Sequence, residues 1–324
     1  MTSYTKSTFA TLCYHYVRSE SQEQKFPRIL GFSQQSFSQH IRELEQYFEI
    51  TSINHVENFL KNNYNFNPSK PGLLFTFDDG LSDHFEAAKI LDKNMIKGVF
   101  FIPTCILEDE PANPNIIHYS IAKYGIEEFL NELHNILKKN DHDIKNNIKY
   151  NKEIDDPWVK IDEIKYFFKY SLHYKIARKI LLELYENLLK NEFPNALEIM
   201  HLTEEQIKEI LDMGHSIGTH THTHISFVHS LSPNDLKNEF HYPKMKLEET
   251  FNVNCQLMSY PWGEKKDRME LEKILTDYNY YEFIFTTEEK FNYINTHHFQ
   301  IGRFQPSSSN NLFNPTKLLS YLEK

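Results

Sequence analysis

Cysteine is scarce: the 324 residues hold three, Cys13, Cys105 and Cys255, far apart and in no C-x-x-C arrangement. That excludes a disulfide framework and a thiolate metal site, and leaves the three as small buried hydrophobes. Positive charge is also in deficit, with 35 Lys and Arg against 45 Asp and Glu and a formal net charge of -10. Without a face dense in Lys and Arg there is nothing to grip a phosphate backbone, so nucleic acid is not an expected partner. No apolar run reaches the roughly 18 residues that cross a bilayer, which speaks against a transmembrane segment. The stretch from Met1 to Arg18 lacks the basic start and apolar core of a secretory signal, so the expected location is cytoplasmic. No internal repeat appears, and the only bias is towards Asn and Lys. What is present, 40% hydrophobic and 25% charged residues, suits one large α/β domain or two modest ones.

The first hundred residues alternate short apolar runs with helical spacing, the pattern of βα units and a mainly parallel sheet. Thr11 to Val17 reads as a first strand. Phe37, Ile41, Leu44 and Phe48 mark one face of a helix over Ser33 to Phe48, capped by Ser33 or Ser36. Val56, Phe59 and Leu60 suggest a shorter helix. Gly72 to Phe77 reads as a buried parallel strand ending in Asp78, Asp79 and Gly80, the end at which α/β sheets carry their chemistry. Phe85 to Leu91 reads as helix and Gly98 to Pro103 as the next strand. From about Glu108 to Met200 the pattern turns to long helices, among them Ile121 to Lys138 and Tyr174 to Lys190. Thr203 with Gln206 then fits a capping box, Leu202 with Ile207 a hydrophobic staple, and Gly214 a left-handed C-terminal cap. Cys255 to Tyr260 and Glu282 to Thr286 complete the strand candidates.

Two segments carry chemistry. In Thr76-Phe77-Asp78-Asp79-Gly80, neighbouring carboxylates at a strand end offer two roles, one holding a metal and the other reaching the water beside it; alone, Asp-Gly is equally a common turn. The segment His215 to His224 holds four histidines, and neutral imidazole is a common ligand for zinc and related ions. If this segment is helical, His220 and His224 stand one turn apart on one face. If it is extended, His220, His222 and His224 line one face instead.

Together the two segments resemble the motifs of the polysaccharide deacetylases, carbohydrate esterase family four with its nodulation-deacetylase homology domain. TFDDG stands intact as Thr76 to Gly80, and H-[ST]-x-x-H as His220 to His224. The flanks Gly98-Val99-Phe100-Phe101 and Gly214-His215-Ser216-Ile217-Gly218 agree. The resemblance runs from about Thr11 to Leu107 and from about Leu202 to Phe304. It implies an α/β fold, a distorted (β/α) barrel of the seven-stranded type formed by residues 1–107 and 201–324, and leaves unexplained the helical stretch 108–200, which the change of pattern marks as an insertion packed on the barrel. It also implies that Asp79, His220 and His224 hold one divalent metal ion, zinc ahead of cobalt, nickel, iron or manganese, and that Asp78 is the base that activates the metal's water.

The departures narrow the resemblance. Where many members have Arg-Pro-Pro-Tyr-Gly, with the Arg orienting the base, this chain reads Ser259-Tyr260-Pro261-Trp262-Gly263. With Tyr14-His15-Tyr16 on the first strand, this is similar to the poly-N-acetylglucosamine deacetylase branch, which implies His15 as the general acid, with His297 and His298 as rivals. Arg303 is the candidate for the missing cation, and Tyr260 and Trp262 are candidate walls for a sugar ring, or equally core. The implied reaction removes an N-acyl group, acetyl first, from an amino sugar or sugar conjugate, the oxyanion being met by the metal and a backbone N–H near Trp262. A non-sugar amide or formamide, or a non-catalytic sugar-binding or scaffold role, stands as the alternative. The helical insertion serves packing, a lid, a homo-oligomer face or a partner surface; its residues do not separate these.

Overall fold

The computed structural model describes residues 7–139, 157–225, 231–261, 265–306 and 314–323. Its centre is a seven-stranded sheet: β1 (Phe9–Tyr14), β2 (Glu49–Ile50), β3 (Gly72–Phe77), β4 (Val99–Ile102), β5 (Ser216–Thr219), β6 (Leu257–Ser259) and β7 (Phe283–Phe285). The order is β1-β3-β4-β5-β6-β7, with β2 beside the start of β3, and every pairing is parallel. Residues 301–304 join the two edges: Ile301 bridges Phe285, and Phe304 bridges Leu12. The sheet therefore curls into a distorted barrel, as the family resemblance implies.

Strands buried on both faces read as nearly continuous apolar runs, and their side chains still divide by parity. Leu12, Tyr14, Phe75, Phe77, Phe100 and Ile102 pack outward into a cluster that includes residues of the helices Gln34–Leu44, Asp83–Lys93 and Glu204–Asp212. Phe9, Leu74, Val99, Phe101, Leu257 and Phe285 form a second cluster with the helix Ile53–Leu60. The second parity class turns polar towards the strand ends: Cys13 follows Phe9 and Thr11, Thr76 and Asp78 follow Leu74, and Ser259 follows Leu257. A ring of polar side chains thus crowns an apolar barrel, at the C-terminal end where the resemblance places the chemistry.

Local signals translate faithfully. Ser33 caps its helix by accepting from the Ser36 N–H. Thr203 and Gln206 form the capping box, and Gly214 adopts φ +80°. Three readings change. The first strand stops at Tyr14, and Val17–Arg18 pairs separately with Phe32–Ser33. The run Ile121 to Lys138 is two helices, Asn113–Tyr124 and Ile126–Lys139, broken at Gly125 with φ +85°. Tyr174 to Lys190 begins as α-helix to Leu184 and ends as π-helix over Tyr185–Lys190. The helical stretch after Asn113 has a hydrophobic cluster of its own, shared with Tyr16, Phe26, Ile29 and Leu81 of the barrel side. No helix among the described residues is long and apolar enough to cross a membrane.

One buried carboxylate makes stability depend on pH. Asp83, in the first turn of its helix, lies 4.0 Å from the buried Arg18. Burial pushes it up to about 7 against the opposing pull of Arg18. Between about pH 4 and 7 the folded chain holds a proton that the unfolded chain has released, so this group's contribution falls as pH rises through that window. Denaturant unfolding of wild type and Asp83→Asn across pH 4.5 to 7.5 should show wild type losing up to about 1.4 kcal/mol more per pH unit than the variant. Equal slopes would exclude this role.

Candidate active site

Adjacent residues of a strand point to opposite faces, yet Asp78 and Asp79 both reach the site. The turn after β3 resolves this: Asp79 has φ +77° and Gly80 φ +55°, two left-handed residues in succession that swing the second carboxylate inward. The same device recurs at the histidines. The strand β5 ends at Thr219, and Thr221 (φ +63°) and His224 (φ +56°) form a turn, so the segment is neither helical nor extended. His220 and His224 converge, while His222 turns away to Thr104 Oγ1 at 2.9 Å and towards Glu108.

The donor set fits a divalent cation. Asp79 Oδ1 lies 3.3 Å from His220 Nε2 and 3.2 Å from His224 Nε2, and all three side chains are buried. His220 Nδ1 lies 3.0 Å from the Ser259 carbonyl; donating there leaves the Nε2 lone pair facing Asp79. The other carboxylate oxygen of Asp79 accepts from Asn115 Nδ2 at 3.2 Å. Two imidazole nitrogens and a carboxylate oxygen, close together and supported from behind, are the ligand chemistry of zinc and its neighbours.

Beside this triad stands a second constellation. Arg303, with no exposed surface, grips Asp78 through two parallel hydrogen bonds of 2.7 Å, Nη1 to Oδ1 and Nη2 to Oδ2. Its remaining donors go to Thr76 Oγ1, Ser259 Oγ and the Thr286 carbonyl. Burial alone would push Asp78 up, but the Arg303 guanidinium beside it holds the carboxyl well below the usual range. The position absent from the third motif is thus filled by an arginine on the segment that joins the barrel's edges. His15 Nδ1 or Nε2, the Cys13 sulfur and an Asp78 oxygen all lie within 4.8 Å of one another. The His15 carbonyl accepts from the buried ring of His84 at 2.8 Å, and burial lowers His84 to about 4, so it serves as a neutral donor.

The remaining candidates do not meet there. His297 and His298 line a surface hollow with Thr276 and Glu282, His297 reaching towards Glu272 and His298 packing on Phe283. Tyr260 is 2% exposed and packs with Ile225, Phe240, Met258 and Leu271, so it is core and not a wall: the strand β6 delivers it to the apolar side. Trp262 and its backbone lie outside the described residues.

Two positioning groups carry no sequence signal. Asn115 sits in a helix whose motif-free sequence gives no hint of a contact with Asp79. Glu239 secures the histidine turn: its carboxylate accepts from the N–H groups of His222 (3.2 Å) and Thr223 (3.0 Å) and from Thr223 Oγ1 (2.9 Å). Glu239→Ala should therefore weaken metal binding about 10- to 100-fold, the usual effect of losing a group that orients ligands. Competition with a chromogenic chelator measures this, and affinity within twofold of wild type would remove Glu239 from the site's support.

The family model described as polysaccharide deacetylase matches residues 177–282. No curated protein matches the chain. Among solved structures, the chain is similar to the Streptococcus pyogenes deacetylase PplD in complex with acetate, with 19% identity and a TM-score of 0.60 over 99% of this chain and 100% of that one. It is similar to IcaB from Ammonifex degensii at 16% identity and TM-score 0.53, covering 98% of both chains. A de-N-acetylase from Aggregatibacter actinomycetemcomitans gives 13% and 0.53, covering 96% of this chain and 99% of that one. The resemblance is borne out by the family match, which holds the second motif, and by the fold, which these structures share over 96% to 99% of the chain.

Proposed function

We propose that this chain, with the polysaccharide deacetylase fold over its length and the family's match over residues 177–282, is a hydrolase of C–N amide bonds that removes an N-acyl group, acetyl first, from an amino sugar or sugar conjugate. The observation that carries the reading is the pairing of two buried acids with separate environments. Asp79 is grouped with His220 and His224, and Asp78 is clamped by Arg303 alongside. A scaffold that merely bound a metal would need the first group and not the second.

The metal, when bound, supplies a Lewis acid that polarises the acyl carbonyl and acidifies a water. Asp79, His220 and His224 would hold it. Asp78 accepts the proton from the attacking water. Arg303 favours the charged form of Asp78, the form that can take this proton. His15 is placed beside Asp78 and donates a proton to the departing nitrogen, with its backbone fixed by His84. Water and amide thereby give carboxylate and amine. Arg303 and Ser259 hold the Asp78 carboxylate in plane, and Asn115 does the same for Asp79.

The test is acetate and formate release by the metal-loaded protein from a panel of N-acylated amino sugars, free and phosphate-linked. Release of either acid from a sugar supports the reading. Turnover confined to non-sugar amides would leave the hydrolase and remove the sugar; no turnover of any amide with metal bound would favour the binding role.

A further inference from the structure

The helical stretch after Asn113 borders a half-open cavity of about 510 Å³ against the barrel, a volume ordinary for a small-molecule site. Much of its wall is apolar: Ile29, Ile121, Ala122, Ile126, Ile161 and the ring of Tyr16. Into this wall are set three cations, Arg28, Lys160 and Lys165, against one acid, Glu127. That excess stands out in a chain whose net charge is -10. Arg28 is anchored by donating to the Ala122 carbonyl at 2.9 Å. Among the described residues neither Lys160 nor Lys165 has an ion-pair partner, though Lys165 is partly buried.

The cavity adjoins the site already described. Tyr16, which lines it, hydrogen-bonds His118 at 3.0 Å and accepts from Asn115 at 3.3 Å, and the same Asn115 amide donates to the metal-ligand candidate Asp79. Tyr16 and Asn115 thus form the boundary that the cavity shares with the site. Burial lowers the Lys165 ammonium, while Asp162 and Asp79 pull it back up.

Resting on the deacylase reading, we propose that the cavity is a subsite for a phosphate carried by the substrate, with Lys165, Lys160 and Arg28 meeting the anion and the apolar wall meeting the group beyond it. Partly desolvated cations facing an apolar wall bind an anion more strongly than surface lysines do, because the competing water is fewer. The phosphate of a nucleotide and that of an alkyl or isoprenyl chain present the same anion, and the apolar wall suits either a base or a chain.

Two measurements on the full-length, metal-loaded protein test this. Calorimetric titration with butyl phosphate and with uridine monophosphate should show binding of at least one, weakened about tenfold in Lys165→Met and in Lys160→Met; which probe binds distinguishes chain from nucleotide. Acetate release from N-acetylglucosamine, its 1-phosphate, and its nucleoside-diphosphate and alkyl-diphosphate conjugates should show kcat/KM at least about tenfold higher for a phosphorylated form, with that ratio reduced about tenfold in Lys165→Met. Binding of neither probe, or a wild-type ratio near one, overturns the subsite even if the neutral sugar is hydrolysed. Lysine-dependent binding of a probe with no hydrolysis of any substrate keeps the subsite and removes the deacylase reading.

Discussion

Asp78→Asn is expected to lower turnover about 10²- to 10⁴-fold, the usual worth of a positioned general base, while the metal stays bound. The carboxamide keeps the shape of the side chain and loses the ability to take a proton. The ligand candidates Asp79, His220 and His224 are untouched, and Asn115 still supports Asp79. The substitution has a second effect, because the amide places an N–H group against the Arg303 fork and cannot neutralise a guanidinium with no exposed surface. Melting temperature should therefore fall as well. Metal content by elemental analysis, circular dichroism and acyl release on one sample separate the two effects. A folded, metal-loaded variant retaining more than a tenth of wild-type turnover would show that Asp78 is not the base.

What could be read in the chain beforehand divides by the range of the interactions involved. Ser33, the Thr203–Gln206 box and Gly214 act over three or four residues, so local chemistry sufficed to place them. The runs of β3 and β4 are legible because a doubly buried strand is nearly all apolar, with Thr76 the polar exception where β3 nears the site. The break at Gly125 was not, since an amphipathic pattern continues across it and only the left-handed backbone ends the first helix. Asp79, His220 and His224 are adjacent in space because of left-handed turns; the motif announced the residues, but not that His222 would be turned out of the group. Arg303 is legible as the cation missing beside Asp78, although 225 residues separate the two along the chain, because a buried base without its arginine needs a charge from elsewhere. Asn115 and Glu239 were invisible, because nothing about a single amide or acid in a helical stretch says which loop it will meet. Tyr260 stays open in the sequence for the converse reason: an aromatic next to a catalytic motif is as useful to the core as to a ligand.

Removal of Arg303 should be the most damaging change to the fold. Its guanidinium spends donors on Asp78, Thr76, Ser259 and the Thr286 carbonyl, and the segment that bears it bridges β1 and β7. A buried ion pair contributes little net stability against an apolar replacement of both partners, but removing one partner strands the other charge, at a cost of about 3 to 5 kcal/mol. Arg303→Met should lose about that much in denaturant unfolding, and Asp78, left to the burial that now pushes it up unopposed, should take a proton and stop acting as a base. The double variant Asp78→Asn with Arg303→Met should recover part of the lost stability, since no uncompensated charge remains, and none of the activity. Arg303→Lys keeps the charge without the two-pronged grip and should fall between wild type and the double variant, folded but with impaired turnover. This ordering, Met alone below the double variant and Lys above both, is what a charge pair requires; a simple packing defect would make the double variant the least stable of the three.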